Sequence, residues 1–227
     1  MLSHFSFLGV FISVGSYVLG LWLKRKTNSP LANPLLISII LVIAFLLITG
    51  MDYTSYKQGC SMISYLLTPA TVCLAVPLYE QFEKLKQNYK AVLSGIIAGT
   101  LTSLCSILLL AIAFNIPHEA YVSLLPKSIT TPIGIGVSNE LGGFVPVTVV
   151  SIVITGVLGN VIAEQFLKLL RIDNPIAKGI AIGTSSHAAG TAKALEMGEI
   201  EGAMSGLAIV VAGLITVVGA SVFALFY

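Results

Sequence analysis

Six long stretches of this chain contain no Lys, Arg, Asp or Glu: Phe5–Leu23, Thr27–Met51, Gln58–Tyr79, Ala91–Pro117, Leu141–Ala163 and Gly202–Tyr227. A helix needs about 20 mostly apolar residues to cross the hydrocarbon of a bilayer, so stretches of this length constrain the fold more than any other feature. A soluble core would require polar faces on these helices, and they have none. With 56% hydrophobic and 10% charged residues, the chain also lies far from a soluble domain, where about 25% are charged. The expected fold is an all-α, polytopic membrane protein forming a single transmembrane domain over 1–227.

Charge sets the expected topology. Spans are predicted at about Phe5–Leu23, Ala32–Gly50, Ser61–Phe82, Ala91–Asn115, Val145–Lys168 and Ala203–Phe226. Trp22 anchors the end of the first span, and the following Lys24-Arg25-Lys26 places that loop in the cytoplasm. The apolar run precedes this basic cluster, the reverse of a signal peptide. The loop EKLKQNYK, from Glu83, is likewise predicted to be cytoplasmic. Within the third span, Thr68-Pro69 reads as the cap and first residue of a new half-helix, with Pro77 further on. Residues 1–60 are expected to be scaffold helices and 61–227 a broken-helix core.

Two segments repeat an unusual phrase. Ile133–Gly143 reads IGIGVSNELGG, and Ile180–Gly190 reads IAIGTSSHAAG. Each is a glycine-interrupted apolar run followed by hydroxyl or amide residues and one ionisable residue, Glu140 or His187. If Val122–Gly143 and Pro175–Met197 both crossed the membrane, Lys168, Arg171 and Lys178 would lie outside. If both dip in and return, that basic loop is cytoplasmic, as the positive-inside rule requires. The amino and carboxyl termini are then both extracytoplasmic. The phrases would enter from opposite faces, as in an inverted repeat of units about 122–168 and 175–227. IVITGVLGNV from Ile152 and IVVAGLITVV from Ile209 extend the match.

Broken backbone survives at membrane depth only inside protein or beside a water-filled cavity. The predicted helix breaks are Pro69, Pro132, Gly183 and Gly190. Half-helix starts at Thr131-Pro132 and at Ser185 or Ser186 would offer free N–H groups and partial positive charge to an anion. Lys127, Ser128, Thr130, Thr131, Ser138, Asn139, Thr184, Ser185, Ser186, His187 and Thr191 supply donors around them. That set suits a small 2-oxo or 2-hydroxy carboxylate, with His187 and Glu140 as candidates to carry a coupling proton. Lys193, Glu196, Glu199 and Glu201 read as a solvated cytoplasmic cap, and His4 and His118 as residues of outer segments.

LTPATVCLAVPLYEQF, KSITTPIGIGVSNELGG and AKGIAIGTSSHAAGTAKALEMGEIEGAMSGLA together resemble the LrgB/CidB family of bacterial membrane proteins, over at least 65–227. The family's KS-x-TTP falls on Lys127, Ser128, Thr130, Thr131 and Pro132. Its GT-x-SH-x-x-GTA falls on Gly183, Thr184, Ser186, His187, Gly190, Thr191 and Ala192. The resemblance implies an antiholin-like or holin-like role in murein hydrolase control and cell lysis. It also implies kinship with the carboxyl-terminal half of the plastid glycolate/glycerate transporter and with pyruvate uptake. A small LrgA/CidA-type membrane partner and a bacterial cell membrane follow from the same resemblance.

The leading expectation is therefore a secondary transporter of small monocarboxylates such as pyruvate, lactate or glycolate. It would be proton-coupled, work by alternating access and form a homodimer. The alternative is a holin/antiholin-like modulator of murein hydrolases. A cation/proton exchanger would call for a buried Asp, but Asp52 and Asp173 fall in loops. The net charge of +2 gives no reason to expect nucleic acid, and Cys60, Cys73 and Cys105 are too widely spaced for a metal or redox pair. No segment is long enough for a soluble catalytic domain, so no enzyme activity, cofactor or metal is expected.

Overall fold

The computed structural model describes residues 7–27, 33–73 and 75–227. His4 and the extreme amino terminus lie outside this set. The described residues are helical with short connections, and the chain divides into two compact units, 1–73 and 74–227.

The first unit contains α1 (Leu8–Thr27), α2 (Pro34–Thr49), α3 (Tyr53–Gly59) and α4 (Ser61–Cys73). The Asn33 side chain caps α2 by accepting from the N–H groups of Leu35 and Leu36 at 2.9 and 3.2 Å, leaving Pro34 at the start of the helix, where its missing donor is harmless. Gly50 ends α2 with a left-handed φ of 63°. Gly20 lets α1 close on Pro34, whose backbone would lie 2.8 Å from any Cβ added there. Ser13 Oγ hydrogen-bonds Tyr56 Oη at 2.7 Å and ties α1 to α3.

The second unit contains α5 (Ala75–Glu80), α6 (Phe82–Phe114), α7 (His118–Leu124), α8 (Thr131–Glu140), α9 (Val145–Leu169), α10 (Pro175–Met197), α11 (Glu199–Phe223) and a closing 3-10 turn, Ala224–Phe226. Among the described residues, four helical segments are long and apolar enough to cross a membrane: Leu8–Thr27, Lys86–Phe114, Val145–Leu169 and Glu199–Phe226. The Pro34–Thr49 helix is apolar but shorter.

The predicted third span, 61–82, includes residue 74, which lies outside the described residues; Ser61–Cys73 and Ala75–Glu80 are both helical. Helix α4 continues through Pro69 instead of starting there. Pro77 lies within the helical segment Ala75–Glu80. The predicted loop EKLKQNYK is helical as well. Its Glu, Lys, Leu and Gln are good helix formers, and they prolong α6 to 33 residues.

Two helical hairpins occupy opposite ends of the second unit. In α10 the first arm packs Gly179 against Glu201 and Met204, then Gly183 against Ser205 and Ala208, so it ascends with α11. The second arm descends: Thr191 bonds Ser205 at 2.7 Å, and Leu195 then meets Gly202. Pro175 and Met197 thus lie at the same end, and the chain reverses at His187 (φ 42°, ψ −141°). Helix continues through Gly183 and Gly190, so the predicted breaks at these glycines are corrected to His187. Both glycines serve packing instead. A Cβ at Gly190 would press on Ser186 and Ile182 of the facing arm at 2.6 and 2.9 Å.

The other hairpin is α7, a turn over 125–130, and α8. Phe144 N–H donates to Ser123 Oγ at 2.7 Å, and Thr148 Oγ1 donates to the Ser123 carbonyl at 2.9 Å. The segment therefore leaves where it began. A Cβ at Gly143 would lie 2.8 Å from Ser123 Oγ, so only glycine fits between the two limbs. Helix α9 descends from this mouth to the base of α10, and α11 returns to accept a hydrogen bond from Tyr121 Oη at the Phe223 carbonyl, 2.8 Å.

Candidate functional site

The hairpin tips converge from opposite ends on the same stretches of α6 and α9. On α6, Gly99 faces Thr184 of the α10 hairpin, 3.1 Å from a would-be Cβ to Oγ1, and Ser103 one turn on lies 3.3 Å from Ser128 Oγ of the other hairpin. On α9, Ile152 packs against Gly134 of α8, and its carbonyl lies 3.0 Å from His187 Nε2. One turn of α6, about 6 Å, separates the contact points of the two tips.

The outer tip carries charge. Lys127 is half-buried, with Nζ 3.0 Å from Ser128 Oγ and 3.4 Å from Ser103 Oγ. Thr130 stands at the cap position of α8 without making a cap bond, and Thr131 and Pro132 open the helix. The first N–H groups of α8 are thereby free of a side-chain partner, and they favour negative charge.

The inner tip is His187, only 7% exposed. Its backbone carbonyl accepts from Thr191 Oγ1 at 3.0 Å, and its ring lies over Gly156, where a Cβ would come within 2.6 Å. Ser186 fits against Gly159 in the same groove, and Asn160 Nδ2 donates to the Ala189 carbonyl at 2.6 Å.

Other predicted residues have different places. Ser138 is fully buried but bonds Thr148 at 2.7 Å in the Ser123–Thr148–Ser138 network that closes the outer mouth. Asn139 and Glu140 are exposed at the carboxyl end of α8. The equivalence of Glu140 with His187 is therefore corrected: one lies at a hairpin mouth, the other at a tip. Thr191 is engaged with Ser205 and the His187 carbonyl. Thr184 and Ser185 donate back to Ile180 and Ala181, at 2.8 and 2.7 Å, although Ser185 remains exposed. Lys193 is not a solvated cap residue. It is 19% exposed and bridges Glu164 of α9 at 3.0 Å and Glu196 at 3.3 Å.

The sequence reading missed Ser103, Thr148, Ser205 and the groove Gly156–Gly159–Asn160. The available signal was small and polar residues interrupting otherwise apolar spans. Their spacing puts Gly156, Gly159 and Asn160 on one helix face. A cavity of about 530 Å³ between α6 and the first arm of α10 runs from Asn88 and Asn174 up to Gly99 and Thr184, and so reaches the tip region from the basic end.

Fixed charge is sparse around the two tips. The flanking stretches 91–117, 141–163 and 202–227 contain no Asp, Glu, Lys or Arg. Among the described residues of this unit, Lys127 and His187 are the ionisable groups at that depth, and no carboxylate balances them. A buried cation without a counter-ion is costly, so an anionic ligand is the natural complement.

A sequence profile described as the LrgB-like family matches residues 13–226. The chain is 38% identical over 218 residues to the antiholin-like protein LrgB of Bacillus subtilis (strain 168), with 96% of this chain and 94% of that protein covered. No solved structure matches.

Proposed function

The chain belongs to the LrgB-like family, and from that premise we propose a multi-pass protein of a bacterial cell membrane with an antiholin-like role. The molecular act proposed for it is secondary transport of small monocarboxylates. The observation that supports transport is the meeting of two hairpins from opposite ends of the second unit around Lys127 and His187, with no carboxylate nearby. Opposed broken helices that aim helix N-termini at a central site are the geometry by which secondary transporters hold anions.

In this reading Lys127 neutralises the carboxylate, Ser128, Thr130, Thr131 and Ser186 bond its oxygens, and His187 carries the coupling proton. Glu140 is left out of the proton path because it is exposed at the mouth. Alternating access comes from a hairpin and its following helix moving against the rest of the unit. A homodimer and a small LrgA/CidA-type partner belong to the same proposal.

A specific observation favours the lysis-regulating reading by itself: 38% identity, along nearly both whole chains, to a protein named antiholin-like. Of the two, it has the more direct support from relatives. Purified protein in liposomes separates them. Transport predicts saturable uptake of labelled pyruvate, lactate or glycolate, driven by a pH gradient and lost in Lys127→Ala and His187→Ala. Size-graded leakage of neutral dyes without saturable uptake would favour a pore-forming, lysis-linked activity and reject the carrier.

A further inference from the structure

The inner hairpin is packed tightly on two sides. Towards α9, His187 lies over Gly156 and Ser186 against Gly159, and Lys193 bridges Glu164 below them at 3.0 Å. Towards α11, Gly179 and Gly183 sit directly on Glu201, Met204, Ser205 and Ala208. The outer mouth is closed as well, by the bonds that join Ser123, Thr148 and Ser138. Towards α6 the packing differs. Here the cavity of about 530 Å³ lies between α6 and the first arm of α10. At its upper end Gly95 meets Ile180 and Gly99 meets Thr184, 3.4 and 3.1 Å from would-be Cβ atoms. One turn of α6 beyond these contacts, Ser103 Oγ lies 3.3 Å from Ser128 Oγ and 3.4 Å from Lys127 Nζ.

No charged side chain lines this cavity, so no carboxylate repels an anion within it. Its polar side chains are the amides of Asn88 and Asn174 near the base and the Thr184 hydroxyl at the top. Asn174 Oδ1 accepts from the N–H groups of Ile176 and Ala177 at 2.9 and 3.2 Å. That leaves its NH2 group, a donor, for a solute at the mouth. The volume is several times that of a three-carbon acid. At about 30 Å³ per water, it takes the acid together with much of its hydration shell. Retained water matters, because a carboxylate stripped of it is costly to hold in apolar surroundings. A cavity of about 290 Å³ flanks the same arm on the α9 side, but it is lined mainly by apolar residues such as Phe166 and Leu170 and offers no amide.

Resting on the transport reading above, we infer that the cleft between α6 and the first arm of α10 is the cytoplasmic vestibule through which the hydrated monocarboxylate reaches the tips, and that the Gly95–Ile180 and Gly99–Thr184 contacts are the gate at its end. Parting α6 from the first arm at these two contacts joins the vestibule to Ser103, Ser128 and Lys127. The outer hydroxyl network stays bonded meanwhile, so the two entrances are not open together, as alternating access demands.

The test uses the full chain with Cys60, Cys73 and Cys105 replaced and Gly95→Cys introduced. The new Cβ meets the Ile180 side chain at an ordinary contact distance, and it lies about 10 Å along α6 from Asn88. In inside-out vesicles a negatively charged, membrane-impermeant thiosulfonate is expected to modify Gly95→Cys, and added pyruvate to slow the reaction. Saturable uptake in liposomes is expected to be lost once the cysteine is modified. Ile97→Cys, at the same depth on the opposite side of α6, is expected to stay unmodified. Ala91→Phe fills the lower cleft from an exposed position and should lower uptake severalfold at an unchanged melting temperature. Modification of Gly95→Cys by a lipid-soluble maleimide alone would mean that the cleft holds acyl chains. Undiminished uptake after modification, or in Ala91→Phe, would mean that the acid takes another route. Either result overturns this inference and leaves the transport proposal standing. Absence of saturable uptake by the wild-type chain would overturn the transport proposal itself, and this inference with it.

Discussion

At φ 42° and ψ −141°, His187 sits in a backbone region that non-glycine residues seldom occupy. Such a conformation costs on the order of 1–3 kcal/mol and persists only where its surroundings over-determine it. Here the Ile152 carbonyl, the Thr191 hydroxyl and the Gly156 groove do so. Thr191→Val keeps the shape but removes the hydroxyl that joins the His187 carbonyl to Ser205. Thermal melting in detergent is expected to show a loss of about 1–3 kcal/mol, together with weakened substrate affinity as the tip loosens. Lys127 predicts the opposite balance. Its ammonium is partly buried among serine hydroxyls with no carboxylate partner, an unfavourable setting for a charge. Lys127→Met should melt at the same temperature or higher while anion uptake falls by more than tenfold. A variant that melts lower and still transports would show the lysine to be structural.

At the scale of elements, the glycines divide by what lies over them. Gly159 holds Ser186 where a Cβ would be, so Gly159→Val is expected to unseat the inner tip and cost about 1–3 kcal/mol through overpacking. Gly136 has nothing within 4 Å of an added Cβ. Gly136→Ala should leave uptake intact and stabilise α8 by up to ~1 kcal/mol through helix propensity. Paired melting curves of the two variants check both. The long spans were legible because an absence of charge over 20 or more residues permits few alternatives: Ala91–Asn115, Val145–Lys168 and Ala203–Phe226 fall on α6, α9 and α11. The hairpin of α10 was legible from the basic residues flanking it. The depth of the repeated phrase was not. In the inner hairpin the phrase contains the reversal at His187. In the outer hairpin the reversal is over 125–130, and the phrase forms the returning arm. Aligned letters therefore paired Glu140 with His187, although one lies at a mouth and the other at a tip. Ser103 and the Gly156 groove escaped notice because a small residue in an apolar span gains meaning only from what packs on it.

At the scale of the second unit, the two ends are closed by different chemistry. The outer mouth is held by neutral hydroxyls, through Ser123, Thr148 and Ser138. The inner base is held by charge: Glu164 pairs with Lys168 at 2.8 Å and with Lys193 at 3.0 Å, and a cavity of about 360 Å³ there is lined by Asp173, Lys178, Glu196 and Glu201 among others. Lys168, Arg171 and Lys178 lie in or beside the connection at this base, which the topology proposed from the positive-inside rule puts in the cytoplasm. A hairpin differs from a crossing helix in one measurable respect: its two ends face the same compartment. In a background with Cys60, Cys73 and Cys105 replaced, single cysteines at Lys178 and Lys193 are expected to react with a membrane-impermeant maleimide only after cells are permeabilised. Cysteines at Glu119 and Glu140 should react on intact cells. Reaction of Lys178→Cys and Lys193→Cys from opposite sides would mean that α10 crosses the bilayer, and the two tips could then not share a site. If the pair holds, Glu164→Gln should loosen the second arm by removing the acid that anchors Lys193. The reactivity of a cysteine at Ser186 toward a reagent supplied from the cytoplasmic side should then rise severalfold, because that arm and its ion pairs are what stand between the tip and the cytoplasmic water.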